Sequence, residues 1–279
     1  MKLTKPSDVR ALLADMDFHP SRVLGQNFLI DFNILTILLD AAELTHRDGV
    51  LEIGPGLGVL TEGLLNRAGH VVAVEKDQRL FRWLEKHFEN FPGLTLLHAD
   101  ALDVDLNALL AQGLNKVVAN LPYSIASRFL MEVLGCAHPP ERLVVTVQTE
   151  VARRFAAPPS SRDYGLVSVP AQLAYTVAVH KRISPTCFWP SPEVTSAIML
   201  MIRRPQPLVA APDRQALLDL LKFCFGHRRK QMGTILRHLP AVGGRAAEIL
   251  TDLGLAPTDR PENIAPADWA RLANALSAD

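Results

Sequence analysis

Gly54-Pro55-Gly56-Leu57-Gly58, lodged between an apolar run and a set of spaced leucines, is the stretch that most constrains how this chain folds. Val50-Leu51-Glu52-Ile53 is short and rich in strand formers, and it breaks at Gly54 into a turn that only small residues tolerate. Leu57, Leu60, Leu64 and Leu65 then fall at helical spacing, with Gly69 as the stop signal. A second apolar run, Val71-Val72-Ala73-Val74, ends in Glu75. That acid stands about 20 residues beyond the glycines, where doubly wound α/β folds place a carboxylate for the hydroxyls of a bound ribose. A parallel sheet with a ligand site at the carboxyl ends of its strands is the expected consequence.

The glycine spacing narrows the ligand. A dinucleotide site wants its third small residue three positions after the second glycine, and Val59 stands there instead. The G-x-G-x-G pattern favours a nucleoside without a pyrophosphate, a description that S-adenosylmethionine meets. A plain strand-to-helix turn would give the same local match, and Glu75 at its distance is what turns the reading toward a cofactor.

Two more strand ends converge on the same crevice. Leu94-Thr95-Leu96-Leu97 delivers Asp100-Ala101, an acid that can accept from the cofactor's adenine amino group or simply cap the segment that follows. Val117-Val118-Ala119 runs into Asn120-Leu121-Pro122-Tyr123. An adenine amino nitrogen is a poor nucleophile because its lone pair is delocalised into the ring. Accepting both of its N–H bonds, through the Asn120 side-chain oxygen and the Leu121 carbonyl, would pull the nitrogen toward tetrahedral geometry and free the lone pair for in-line attack. Pro122 fixes its own φ and biases Leu121 toward an extended conformation, which holds that carbonyl in place. Tyr123 offers a face for the base, worth about 1–3 kcal/mol. An ordinary strand-end turn uses the same residue types.

Taken in order along the chain, Gly25-Gln26-Asn27-Phe28-Leu29, Glu52-Ile53-Gly54-Pro55-Gly56-Leu57-Gly58, Glu75, Asp100-Ala101, Asn120-Leu121-Pro122-Tyr123, Tyr164-Gly165, Phe188-Trp189-Pro190-Ser191-Pro192-Glu193-Val194 and Gly226-His227-Arg228-Arg229-Lys230 form a series. This series resembles the ribosomal RNA adenine dimethyltransferases, the bacterial kasugamycin-resistance enzymes, from about Leu24 to the C-terminal region. The resemblance implies a Rossmann-like class I methyltransferase fold. It implies that S-adenosylmethionine is the cofactor and that the reaction dimethylates two adjacent adenines near the 3′ end of small-subunit ribosomal RNA, in a partly assembled particle. It also implies roles. Asn27 and Leu29 would close over the methionine end of the cofactor, Gly54 would lie against it, Glu75 would hold the ribose and Asp100 the adenine. Asn120 would stand between cofactor and target, and Phe188 would be the second slab of the base sandwich. Without the family pattern, Phe188 and Trp189 read as core aromatics pinned by prolines.

The chain departs from the pattern at Ser124, where Asn is frequent, at Thr149, where Lys is usual, and at Arg22-Val23-Leu24, with one basic residue where two are common. These departures bear on RNA contacts rather than on methyl transfer. A related large-subunit RNA methyltransferase of the antibiotic-resistance type, and a non-catalytic assembly or transcription factor of the same fold, are the competing readings. The segment Phe188 to Val194 and the turn Gly226 to Lys230 favour the small-subunit type. Val59 and the lack of a hydride-transfer partner disfavour a dehydrogenase.

Lys and Arg number 29, as do Asp and Glu, so net charge is zero, which is unusual for a protein that grips phosphates. The distribution is uneven: Lys222 to Arg237 includes Arg228, Arg229 and Lys230 and no acid. Lys181-Arg182, Arg203-Arg204 and Arg153-Arg154 are further candidate phosphate contacts, although charge runs are commonly only solvated faces. No apolar run approaches the length of a membrane helix, Met1 to Arg10 lacks a signal-peptide core, and Cys136, Cys187 and Cys224 have no metal-type spacing. A cytoplasmic monomer with reduced, buried thiols is the expectation. Residues 1–206 are expected to form the catalytic α/β domain, with Leu143 to Val147 as a central strand and Ser196 to Ile202 as a late antiparallel one. The proline-studded segment 205–212 would lead into a small all-helical domain, 207–279, and RNA would sit in a cleft formed by the helical lobe and the sheet's loop edge.

Overall fold

The computed structural model describes residues 3–21, 25–206, 208–210, 212–239 and 242–277, so Arg22-Val23-Leu24 and two positions of the proline-studded segment lie outside the described residues. Nine strands are described: β1 (Phe28–Leu29), β2 (Gly49–Ile53), β3 (His70–Glu75), β4 (Leu94–His98), β5 (Leu114–Asn120), β6 (Arg142–Gln148), β7 (Tyr175–Ile183), β8 (Phe188–Trp189) and β9 (Ser196–Arg203). Seven of them make one sheet in the order β4-β3-β2-β5-β6-β9-β7, and β1 pairs with β8 in a separate ribbon. Pairs among β2 to β6 are parallel and β9 runs antiparallel to β6, as the sequence suggested for the late strand.

The central strands are mostly apolar because both their faces are covered. All five residues of β2 are buried, and so are five of the six in β3. On one face Val50, Val71, Val118 and Val144 pack with Leu38 and Leu39 of the helix Phe32–Ala41 and with Leu60 and Leu64 of the helix Val59–Leu65. Each such leucine, fully buried, contributes about 1.5–3 kcal/mol. Asp31 starts the first of these helices by accepting from the Ile34 N–H at 3.0 Å.

At the end of the sheet where β2 and β5 begin, Lys116 Nζ donates to Asp48 Oδ2 at 3.0 Å and to the carbonyls of Ala42 and Glu43, both groups being buried. Burial pushes the Asp48 carboxyl up, but hydrogen bonds from Asn115, Lys116 and Thr45 outweigh it and bring it down to about 2. This pair ties β5 to the turn before β2 at the end of the strands remote from the glycine turn.

The chain divides into two compact units. The first runs up to Ala152 and takes in Ala178–Ile202; the second comprises Arg153–Val177 and the residues from Arg203 on. The second unit therefore claims a segment from before the late strands in addition to the C-terminal helices, where the sequence suggested a single break at 206/207. Its core gathers Tyr164, Leu221, Cys224, Met232, Leu236, Leu250, Trp269 and Leu272. Tyr164 donates its hydroxyl to the Ile264 carbonyl at 2.8 Å, which ties the early segment to the turn just before the last helix, Pro266–Ser277. Among the described residues, no helix is long and apolar enough to cross a membrane.

Candidate active site

The glycine turn is built for close approach. Gly54 has φ +66°, and a Cβ there would stand 3.1 Å from Pro122 Cγ, so the glycine turn and the Asn120-to-Tyr123 turn lie in contact. Gly56, φ +61°, would put a Cβ 3.0 Å from the Phe28 ring. Its N–H donates to Glu75 Oε2 at 3.1 Å, while Glu75 Oε1 accepts from the Asp77 N–H at 2.8 Å. Glu75 is buried at the end of β3 and burial pushes its carboxyl up to about 7, with those two N–H groups opposing the rise.

Asp100, past the end of β4, is held differently. Lys76 Nζ lies 2.6 Å from Oδ2 and the Leu102 N–H donates to Oδ1 at 3.0 Å. The Lys76 bond, then the Leu102 N–H, hold this carboxyl below the usual range.

Asn120 closes β5. Its Nδ2 donates to the Asn27 carbonyl at 2.9 Å, and because that carbonyl can only accept, the amide is oriented with Oδ1 the other way. Asn120 Oδ1 is buried and has no hydrogen-bond partner. The Leu121 N–H is spent on the Thr146 carbonyl at 3.1 Å, and Tyr123 OH lies 2.5 Å from Ser196 Oγ, which fixes the ring from the first residue of β9. Gly25, Asn27 and Tyr123 interlock: Asn27 Nδ2 donates to the Gly25 carbonyl at 3.2 Å, and a Cβ on Gly25 would meet the Tyr123 nitrogen at 3.0 Å.

The six residues that the sequence offers for a cofactor, Asn27, Leu29, Gly54, Glu75, Asp100 and Asn120, all line one cavity of about 270 Å³. Pro122 lines it too; Leu121, Tyr123 and Phe188 are not among its lining residues. Phe188 lies in a two-stranded ribbon. Register pairs Phe28 with Trp189 and Leu29 with Phe188, so the two motifs that the sequence presents separately are one ribbon, extended by the Ile30 N–H to the Cys187 carbonyl at 2.9 Å. In that ribbon Phe188 is only 2% exposed and packs with Leu29, Leu35 and Ile198. That ring braces the strand Phe28–Leu29, which follows Asn27 directly.

Sequence reading passed over Glu52 as a site residue. It lines the cavity, is 1% exposed, and accepts from the Thr61 hydroxyl at 2.7 Å. Burial pushes its carboxyl up to about 8, the Thr61 bond opposing and the Glu75 charge adding to the rise. A lone acid inside an otherwise apolar buried strand was the signal. Ser196 was likewise missed, being silent in sequence until a partner on another strand is known.

The basic candidates in the second unit are partly spoken for. Arg228 Nε lies 3.1 Å from Glu262 Oε2 and its Nη2 donates to the Ser161 carbonyl at 3.0 Å, while Arg237 donates to the Gly233 carbonyl. Arg229 and Lys230 are exposed. Of the three thiols, Cys224 is buried whereas Cys136 and Cys187 are half-buried, and none is in a disulfide.

A cavity walled by a glycine turn, with an acid at each of two strand ends and an unpaired amide oxygen at a third, suits a nucleoside cofactor such as S-adenosylmethionine. Residues 18–278 match the profile of the family described as ribosomal RNA adenine dimethylase. The chain is 43% identical over 281 residues to the ribosomal RNA small subunit methyltransferase A of Opitutus terrae, covering 98% of each protein. Among solved structures, a dimethyladenosine transferase from Plasmodium falciparum superposes with a TM-score of 0.78 at 22% identity, over 88% of this chain and 95% of that one. The 23S rRNA methyltransferase ErmE superposes with a TM-score of 0.69 at 26% identity, over 90% of this chain and all of that one. Cavity, motif order and full-length similarity agree, and the chain belongs to the ribosomal RNA adenine dimethylases, S-adenosylmethionine-dependent methyltransferases.

Proposed function

We propose that this enzyme dimethylates N6 of two adjacent adenines near the 3′ end of small-subunit ribosomal RNA, acting as a cytoplasmic monomer on a partly assembled small subunit and so serving its biogenesis. One observation carries the chemistry: Asn120 lines the cavity with Nδ2 spent on the Asn27 carbonyl and Oδ1 buried and unpartnered. An unpaired buried oxygen costs about 1–3 kcal/mol, which an incoming amino group repays.

When bound, S-adenosylmethionine supplies an electrophilic methyl carbon on a sulfonium. The residues of this chain do the rest. Glu75, preset by two backbone N–H groups, accepts from the ribose hydroxyls. Asp100, held by Lys76 and the Leu102 N–H, accepts from the cofactor's adenine amino group. Asn120 Oδ1 and the Leu121 carbonyl accept from the target N6, which concentrates its lone pair on nitrogen. No strong base is required, because the methylated amine sheds its proton to water. Tyr123, braced by Ser196, stacks on the flipped base and offsets the few kcal/mol that unstacking costs. Exposed Arg229 and Lys230 contact phosphates.

The small-subunit target is favoured by the name and 43% identity of the Opitutus terrae relative against 26% to ErmE. The test is transfer of labelled methyl to immature small subunits and, in parallel, to large subunits, followed by mapping of the labelled base. Dimethyladenine in the small subunit alone is the expected result. Label in the large subunit, or cofactor binding without transfer to either particle, refutes the assignment.

A further inference from the structure

The glycine turn is clamped from two sides. From β3, the Val74 carbonyl accepts the Gly54 N–H at 2.9 Å and Glu75 Oε2 accepts the Gly56 N–H at 3.1 Å. From the helix Gln78–His87, Trp83 Nε1 donates to the Leu57 carbonyl at 3.2 Å. That carbonyl shares one planar peptide with the Gly58 N–H, which the Pro55 carbonyl accepts at 2.9 Å, so the Leu57–Gly58 peptide is held at both ends. Gly58 stands at φ +88°, and a peptide that leads into a glycine turns over at little steric cost. Its orientation is therefore set by its hydrogen bonds. The same helix also closes under the turn: a Cβ on Gly58 would stand 2.5 Å from the Phe88 ring and 3.0 Å from Leu84.

Trp83 reaches the turn from outside the ligand space. Gly54, Pro55, Gly56 and Leu57 line the cavity, and Trp83 is not among its lining residues. The indole is half-buried and packs in one cluster with Leu57 and Leu80. Its ring also stacks on His87, one helical turn further on, with 4.8 Å between centroids and 23° between planes. Packing on one side and stacking on the other fix the ring in the plane that aims its N–H at the Leu57 carbonyl. We propose that Trp83 is a positioning residue for the cofactor: its indole N–H selects the orientation of the Leu57–Gly58 peptide in which the turn fits the ligand. This rests on the S-adenosylmethionine reading of the cavity. Trp83 acts only through the turn, a wall that methyl donor and spent product share, so it favours S-adenosylmethionine and S-adenosylhomocysteine by the same factor. Because its N–H lies against that wall, the indole also registers whether the cavity is filled.

Binding calorimetry with S-adenosylmethionine and S-adenosylhomocysteine tests the inference without any turnover. Trp83→Phe keeps a ring beside His87 and loses the donor; both dissociation constants should rise by about threefold to tenfold, and by the same factor. Replacing the indole at position 83 by benzothiophene exchanges the N–H for sulfur and keeps the shape, and it should weaken both ligands as much as Trp83→Phe does. His87→Ala removes the stack and leaves the N–H, so both ligands should bind within about twofold of the wild type. In the proton–nitrogen spectrum of the wild type, the indole signal that Trp83→Phe abolishes should shift when either ligand is added. An indole N–H satisfied for stability alone predicts a lower unfolding midpoint with both affinities unchanged, and that result overturns the inference. So does a benzothiophene variant that binds like the wild type, or a His87→Ala variant weakened as much as Trp83→Phe. Failure of the wild type to bind either ligand overturns the cofactor reading itself.

Discussion

At the cofactor end of the site the protein already holds its own acids, whereas at the base end buried oxygens are left over. Glu75 has two backbone N–H groups, Asp100 has Lys76 and the Leu102 N–H, and Glu52 has the Thr61 hydroxyl. Asn120 Oδ1, Thr146 Oγ1 and Thr149 Oγ1 are buried without partners, and Asn120 and Thr146 are register partners on β5 and β6. Buried polar atoms are normally satisfied, and of these three residues Asn120 is the one that lines the cavity, which is where the proposed reaction needs an acceptor. One end is complete in the free protein and preorganised; the other is completed by the substrate.

Substitutions at the two ends should separate accordingly. The largest effect is expected for Gly54→Val, which forces a branched residue into a left-handed backbone against Pro122. Cofactor affinity measured by calorimetry should fall by about two to four orders of magnitude. Lys116→Met acts at neither end. It leaves Asp48 buried without its cation at the end of the strands remote from the glycine turn, so unfolding free energy should drop by about 3–5 kcal/mol with cofactor affinity unchanged. In the wild type the Asp48 pKa lies below its unfolded value of 3.8, at about 2. Its stabilisation, about 2 kcal/mol, is therefore fully present above pH 4 and lost as pH falls through 2, a loss that denaturant titrations in this range should reveal. Tyr123→Ala should weaken RNA turnover by about 1–3 kcal/mol, roughly tenfold to a hundredfold in kcat/KM, and spare the cofactor. Ser196→Ala, which removes only the brace on that ring, should raise KM for RNA a fewfold, about 1 kcal/mol. If Tyr123→Ala or Ser196→Ala disturbed cofactor binding as strongly as RNA turnover, the division into two ends would fail.

The same contrast explains what the sequence disclosed. β2, β3, β5 and β6 could be read because strands covered on both faces carry near-continuous apolar runs, and Glu75 and Asn120 could be placed because they end such strands. The ribbon of β1 and β8 could not, since two-residue strands carry no period and their pairing spans 160 residues of chain. The packing of Phe188 was hidden for that reason: its neighbours across the ribbon are far away in sequence. β7 escaped notice because it lies at the edge of the sheet and exposes His180, Lys181 and Arg182. The second unit's claim on Arg153–Val177 was hidden because the helix Thr149–Ala156 follows β6 without a break. Glu52 was legible as an acid in an apolar strand, yet its Thr61 partner is something only the fold supplies.

Single-turnover methyl transfer by Asn120→Ala to small-subunit particles, with S-adenosylmethionine affinity measured on the same preparation, tests the central claim most directly. Asn120 Oδ1 as the acceptor that activates the target amine predicts a rate lower by about 10²- to 10³-fold with cofactor affinity within about threefold of the wild type. Transfer within about threefold of the wild-type rate, or a loss of cofactor affinity as large as the loss of rate, would contradict it.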